Sequence, residues 1–132
     1  MIEKILVGTV ESSGLDATVE MAAELACSQD AELVVLRVDP LIDARQVFDP
    51  AGVPIGPSPV GRLRRRYPDL RLRSSQVRGH PLRAVTDAAR QEQPDLIVVG
   101  HGRRSRNRAL LSQRASKALV QQAPCAVLLV AS

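Results

Sequence analysis

The sequence predicts an α/β fold: five parallel strands in one sheet, flanked by about four helices. Two observations carry that expectation. Four short apolar runs, KILVGT at 4–9, AELVVLRV at 31–38, LIVVG at 96–100 and AVLLV at 126–130, are nearly continuous rather than alternating. Such runs suit strands buried on both faces, as in a parallel sheet. Between them lie stretches with the 3.6-residue periodicity of helices, so strand and helix alternate along the chain.

Each element has its own reason. Residues 4–9 form the first strand. Residues 14–29 place Val19, Ala22, Ala23 and Ala26 on one face and Asp16, Glu20 and Glu24 on another. Acids early in that helix suit its dipole. The second strand is 31–38. Residues 39–59 then hold five of the nine prolines (Pro40, Pro50, Pro54, Pro57 and Pro59). Proline fixes φ and removes a donor, so this stretch reads as a long loop, with one helical turn near 42–47. Residues 60–67 (VGRLRRRY) read as a short basic helix. Residues 70–77 alternate, which suits a less buried strand near an edge.

Pro81 opens the next helix at the favoured first position, with Leu82, Val85, Ala88 and Ala89 inward. It ends at 91–94. Residues 96–100 are the most hydrophobic strand and are expected to be central. Residues 101–108 read as a polar loop. A helix from 108 or 109 to 122 follows, with Leu110, Leu111, Ala115, Ala118, Leu119 and Val120 apolar, and Pro124 stops it. The last strand runs from Ala126 to Val130. Right-handed crossovers are expected to join the parallel strands.

At 132 residues the chain is the size of one domain and can bury a core without a disulfide or metal. Its net charge of +4 is unevenly spread. Residues 1–60 hold three basic and ten acidic residues, net −7; residues 61–132 hold fifteen basic and four acidic, net +11. Sixteen of the eighteen cations are arginine. Such a half attracts phosphate, nucleic acid or an acidic partner, and Arg62 to Arg66, Arg71, Arg73 and the cluster Arg103 to Arg108 would carry that contact. Aromatics, only 2%, argue against base-stacking platforms. Cys27 and Cys125 match no metal or redox spacing and read as reduced, buried thiols. No signal peptide or span of about 20 apolar residues occurs, so the expectation is a soluble, cytoplasmic protein without membrane contact.

Several chemistries common on such sheets are excluded by residue type. No acidic pair follows the first strand, so a receiver domain is out. The run G-x-x-x-x-G-K-[ST] of a phosphate loop is missing. Gly8 to Gly14 lacks the spacing of a dinucleotide fingerprint. His80 and His101 fall in loops with no carboxylate to orient them, and no serine sits in a nucleophile elbow. No residue is assigned a catalytic or metal-binding role. The loop after the fourth strand, Gly100-His-Gly-Arg-Arg-Ser-Arg-Asn-Arg108, combines glycines, arginines and a following helix N-terminus. That combination suits a phosphate.

The C-terminal fragments Gly79-His-Pro-Leu, Pro94-Asp-Leu-Ile-Val-Val-Gly100, Ser116-Lys-Ala-Leu and Ala123-Pro-Cys-Ala-Val-Leu-Leu-Val130, in this order, resemble the universal stress protein family. Lys4-Ile-Leu-Val, Met21-Ala-Ala-Glu-Leu-Ala26 and Ala31-Glu-Leu-Val-Val-Leu fit the same family. The resemblance covers the chain except 39–69. It implies one domain over 1–132 with sheet order 3-2-1-4-5, of the adenine nucleotide alpha hydrolase-like type. It also implies a non-enzymatic stress-response role and a homodimer through the last strand, Ala126 to Val130. Many members bind ATP through G-x-x-G-x9-G-[ST] after the fourth strand and an Asp after the first.

This chain departs from that ATP pattern. With Gly100 as first glycine, Arg103 takes the second place, Gln113 the third and Arg114 the Ser/Thr place. With Gly102 as second glycine, Val99 takes the first place and Ser112 the third. Val10 stands where the Asp would be. The resemblance thus carries a nucleotide site onto Thr9, Val10, Val38, Gly100, Gly102, Arg103, Ser112, Gln113 and Arg114. ATP is the cofactor to test there, and the residues themselves certify none. A nucleotide-binding switch and an arginine-rich module for nucleic acid or an acidic partner are the alternatives; the scarcity of aromatics disfavours nucleic acid.

Overall fold

The computed structural model describes residues 1–10, 17–39, 59–101 and 110–131. Its strands are β1 (Lys4–Val10), β2 (Glu32–Asp39), β3 (Leu72–Arg78), β4 (Leu96–His101) and β5 (Ala126–Ala131). Its helices are α1 (Ala17–Gln29), α2 (Pro59–Arg66), α3 (Pro81–Glu92) and α4 (Gln113–Gln122). The strands pair in parallel in the order β3-β2-β1-β4-β5. The expected strand order is therefore found. The strand expected to be central, β4, is interior but one place off centre; β1 is the middle strand.

Side-chain alternation on the strands separates two apolar layers. Ile5, Val7, Leu33, Val35, Leu72, Val98 and Val130 pack with Val19, Ala22, Ala23 and Ala26 of α1 and with Val60 and Leu63 of α2. Leu6, Val34, Leu36, Val38, Ile97 and Val99 pack with Ala84, Val85 and Ala89 of α3 and Leu119 of α4 on the other face. The alanines of α1 let that helix lie close on β1 and β4, because a methyl holds the two backbones apart less than a leucine would. On the inward face read for α3, Val85 and Ala89 are fully buried and Leu82 and Ala88 partly so.

Helix ends explain most boundary differences. α3 stops where Gln93 adopts a left-handed φ of 50° and donates its N–H to the Ala89 carbonyl, just before Pro94. α4 begins later than expected. Leu110 and Leu111 precede it and are buried as part of its approach, and Ser112 is its N-cap, its hydroxyl oxygen accepting from the Ala115 N–H at 3.2 Å. The capping serine starts the helix, so the two leucines anchor the segment before it rather than lining a helical face. Cys27 corrects a second expectation. It stands exposed on α1, one residue past buried Ala26, and Cys125 is half-buried. The expected helical turn at 42–47 and the bulk of the proline-rich loop lie outside the described residues.

Candidate functional site

The sheet order reverses at β1. From β1 the chain builds outward through β2 to β3, then returns to the other side of β1 with β4 and β5. Ligands of such sheets sit beyond the carboxyl ends of the strands at that reversal. The register shows which expected residues meet there. Val10 lies opposite Val38, and Gly8 opposite both Leu36 and Val99. Gly100, the residue after Val99, pairs with Val130 on β5. Thr9, Val10, Val38 and Gly100 therefore share the carboxyl rim of three adjacent strands.

Within that rim Thr9, Val38 and Gly100 are buried. Ser112, Gln113 and Arg114 are exposed at the start of α4. The Ser112 hydroxyl oxygen is engaged as the cap, while its O–H can still donate outward. The expected residues Gly102 and Arg103, with the other arginines of 101–108 beyond His101, lie outside the described residues.

The sequence reading missed the residue that fits the β4–α4 segment to β1. A Cβ on Gly8 would lie 2.8 Å from Leu110 Cδ2 and 3.2 Å from Val85 Cγ2. Gly8 thus lets Leu110 close over the carboxyl end of β1. Leu111, 1% exposed, holds the same segment down. The signal was present, since an isolated glycine inside a strand marks close approach. Here the approaching group is the chain's own leucine.

The amino ends of the strands carry the charged chemistry. Arg73 of β3 donates to Glu32 of β2 at 2.6 Å and to Glu92 of α3 at 2.5 Å. Lys4 of β1 lies 3.6 Å from the same Glu92 carboxylate and donates to the Glu92 backbone carbonyl. The Arg73 guanidinium, with help from Lys4, holds the Glu92 carboxyl below its ordinary range. The two carboxylate partners raise Arg73 in turn. Asp95 accepts from the backbone N–H groups of Glu3 (2.7 Å) and Lys4 (3.1 Å), which lower its carboxyl too. Partial loss of hydration raises both thiols, Cys27 with a further push from Asp69 and Cys125 from Asp95.

Two grooves lie away from the rim. One of about 330 Å³ is at the amino end, lined by Cys27, Asp30, Arg66, Tyr67, Asp69 and Arg71 among others. The other, about 520 Å³, runs along α3 past His80, Arg83 and Arg90. His80 is exposed at the N-cap of α3, and its side chain makes no capping bond. Among the described residues no group of three or more His, Cys, Asp or Glu side chains is placed to hold a metal. Among them, too, no helix is long and apolar enough to cross a membrane.

The sequence model of the universal stress protein family matches residues 1–131. The chain belongs to the universal stress protein family. Among curated proteins no sequence matches it significantly. Solved structures share the fold of this family member. The universal stress protein UspA from Lactobacillus plantarum is 23% identical with a TM-score of 0.67, over 98% of this chain and 97% of that one. A universal stress protein in complex with cAMP is 19% identical with a TM-score of 0.59, over 98% and 97%. A family protein from Arabidopsis thaliana with AMP bound is 14% identical with a TM-score of 0.58, over 98% and 90%.

Proposed function

We propose that this family member is a non-enzymatic, cytoplasmic stress-response protein that works as a homodimer joined through β5. The observation that carries the dimer is the character of that edge. β5 (AVLLVA) holds no charged residue and closes one end of the sheet. Leu128 packs toward the α1–α2 layer, while Val127 and Leu129 pack toward the α3–α4 layer, and all three stay only half-buried. An apolar edge strand is a template for a further strand, and a second copy would cover it. The non-enzymatic reading draws on His80, which has no side-chain cap bond and stands exposed rather than oriented for proton transfer. Sedimentation equilibrium at tens of micromolar tests the dimer. The expected mass is twice the 14.3 kDa of the chain; a monomer overturns the proposal.

A second reading is an adenine-nucleotide switch. It is favoured by the cAMP and AMP held by two of the structural neighbours. The site would be formed by Thr9, Val10, Val38, Gly100, Gly102, Arg103, Ser112, Gln113 and Arg114. Gln113 and Arg114 stand at the two helix-start positions where ATP-binding relatives are expected to carry small residues, and side-chain bulk there keeps phosphate from the backbone. The expected result of calorimetric titration with ATP, ADP and cyclic AMP is no heat of binding. Saturable binding that Arg114→Ala weakens would establish the switch instead.

A further inference from the structure

We propose that β3, at the opposite edge of the sheet from β5, is a docking strand for an extended acidic peptide. Residues 73–78 are exposed along their whole length, on both faces of the sheet. The ladder with β2 uses the odd-numbered residues. The Leu33 N–H donates to the Arg71 carbonyl at 2.8 Å, and the Gly79 N–H donates to the Asp39 carbonyl at 3.0 Å. In a parallel pair alternate residues serve each side. The backbone groups of Ser74, Gln76 and Arg78 therefore point outward. Among the described residues only the first outward carbonyl, that of Leu72, has an acceptor role filled, by Arg64 Nη2 at 3.4 Å. That contact shows the edge taking a hydrogen bond from outside the sheet.

Charge selects the occupant. α2, which packs Leu63 on the core next to Leu72, carries Arg62, Arg64, Arg65 and Arg66. Among the described residues, of these only Arg66 has a carboxylate partner, Glu20. Arg64 and Arg71 donate to backbone carbonyls and have no carboxylate partner among the described residues. Arg62 and Arg65 make no ion pair among the described residues. The acids nearby are Glu20, Glu32, Glu92 and Asp39, which pair with Arg66, Arg73 and Arg78, and Asp30 and Asp69, both exposed. The edge thus offers backbone partners beside an excess of guanidinium groups, which bind carboxylates in a planar fork. A second copy of this strand would bring arginine against arginine. A nucleic-acid strand would lack ring faces, since the one aromatic among the described residues, Tyr67, is half-buried and stacked under Arg66. An extended peptide with acidic side chains satisfies both the backbone and the charges.

The test uses the full chain and a fluorescein-labelled peptide of eight residues alternating Glu and Val, followed by anisotropy. Saturable binding is expected, with protection of the Ser74, Gln76 and Arg78 amides from hydrogen exchange when peptide is added. The Lys–Val counterpart and a backbone N-methylated Glu–Val peptide are expected to bind about tenfold more weakly or worse. Gln76→Pro removes an outward N–H without touching the β2 ladder and is expected to weaken binding similarly. The double variant R62E/R65E, on exposed side chains, gives the same readout if the proline variant misfolds. The proposal is overturned if the N-methylated peptide binds as tightly as its parent, or if a DNA oligonucleotide of equal charge binds more tightly. Protection of the three amides before any peptide is added would place another segment on this edge and overturn it as well.

Discussion

The two edges of this sheet are built from opposite chemistry. β5 has no charge and rests both faces partly on core side chains. β3 buries only Leu72 and is fastened by Arg73 to Glu32 and Glu92 and by Arg78 to Asp39. One edge is held by apolar contact and the other by ion pairs. The comparison teaches that strand position in a parallel sheet does not set how a strand is held. Its attachment follows from which helices reach it: α4 lies on β5 with apolar side chains, whereas α3 lies over β1 and β2 and the short, basic α2 covers only the start of β3.

The same substitution at both edges separates them. Leu129→Asp places a carboxylate where a half-buried leucine packs, and is expected to lower stability by about 3 kcal/mol in urea unfolding. Between the edges, Gly8→Val forces a side chain into the space of Leu110 and Val85, with an expected loss of roughly 2 kcal/mol. A loss as large as that for Leu129→Asp would mean that the rim, not the β5 edge, is the more tightly packed place. Acid acts on one edge and spares the other. The carboxyls of Glu92 and Asp95 lie below their ordinary values in the folded chain. Their contribution is therefore complete above about pH 4.5 and is lost as pH falls through the lowered folded values. Hydrogen exchange below about pH 4 is expected to loosen β3 while β5 keeps its protection, after correction for intrinsic rates. In the double variant Glu92→Gln/Asp95→Asn the urea midpoint is expected to fall less between pH 7 and pH 3 than in the parent chain. The smallest effect belongs to Val77→Asp on β3. Val77 is 37% exposed, and the expected change stays within about 0.5 kcal/mol. A loss comparable to that at Leu129 would erase the contrast.

Much of this fold is legible in the residues because burial on both faces leaves continuous apolar runs. β1, β2, β4 and β5 each follow such a run to within a residue or two. β3 reads as an edge strand from its alternation, yet it begins two residues later than 70–77 suggested, because Leu70 closes a turn by donating its N–H to Tyr67. Leu111 has helical spacing with Ala115 and Leu119 and, with Leu110 before it, misled the start of α4; Ser112 outweighs them because a cap fixes where the backbone turns helical. Cys27 misled in the other direction, since cysteine is often buried but helix phase decides, and Ala26 takes the inward place. Of the site, the rim positions Thr9, Val10, Val38 and Gly100 follow from strand ends alone. The Arg73 clamp does not, because its partners are 41 and 19 residues away and only the sheet register brings them together.

The Asp95 carboxylate that grips the N–H groups of Glu3 and Lys4 joins positions 92 and 91 residues apart. β1 is synthesised first, yet it occupies the middle of the sheet and needs β4 on its second side. On the ribosome β1 can pair early with β2, but its other flank stays open until the segment near residue 100 has left the exit tunnel. Closure of so long a loop slows folding. The nascent chain thus carries an apolar strand with one flank unpaired until β4 emerges. A chaperone that recognises extended apolar segments would meet β1 during that interval, well before β5 exists to offer an edge of its own.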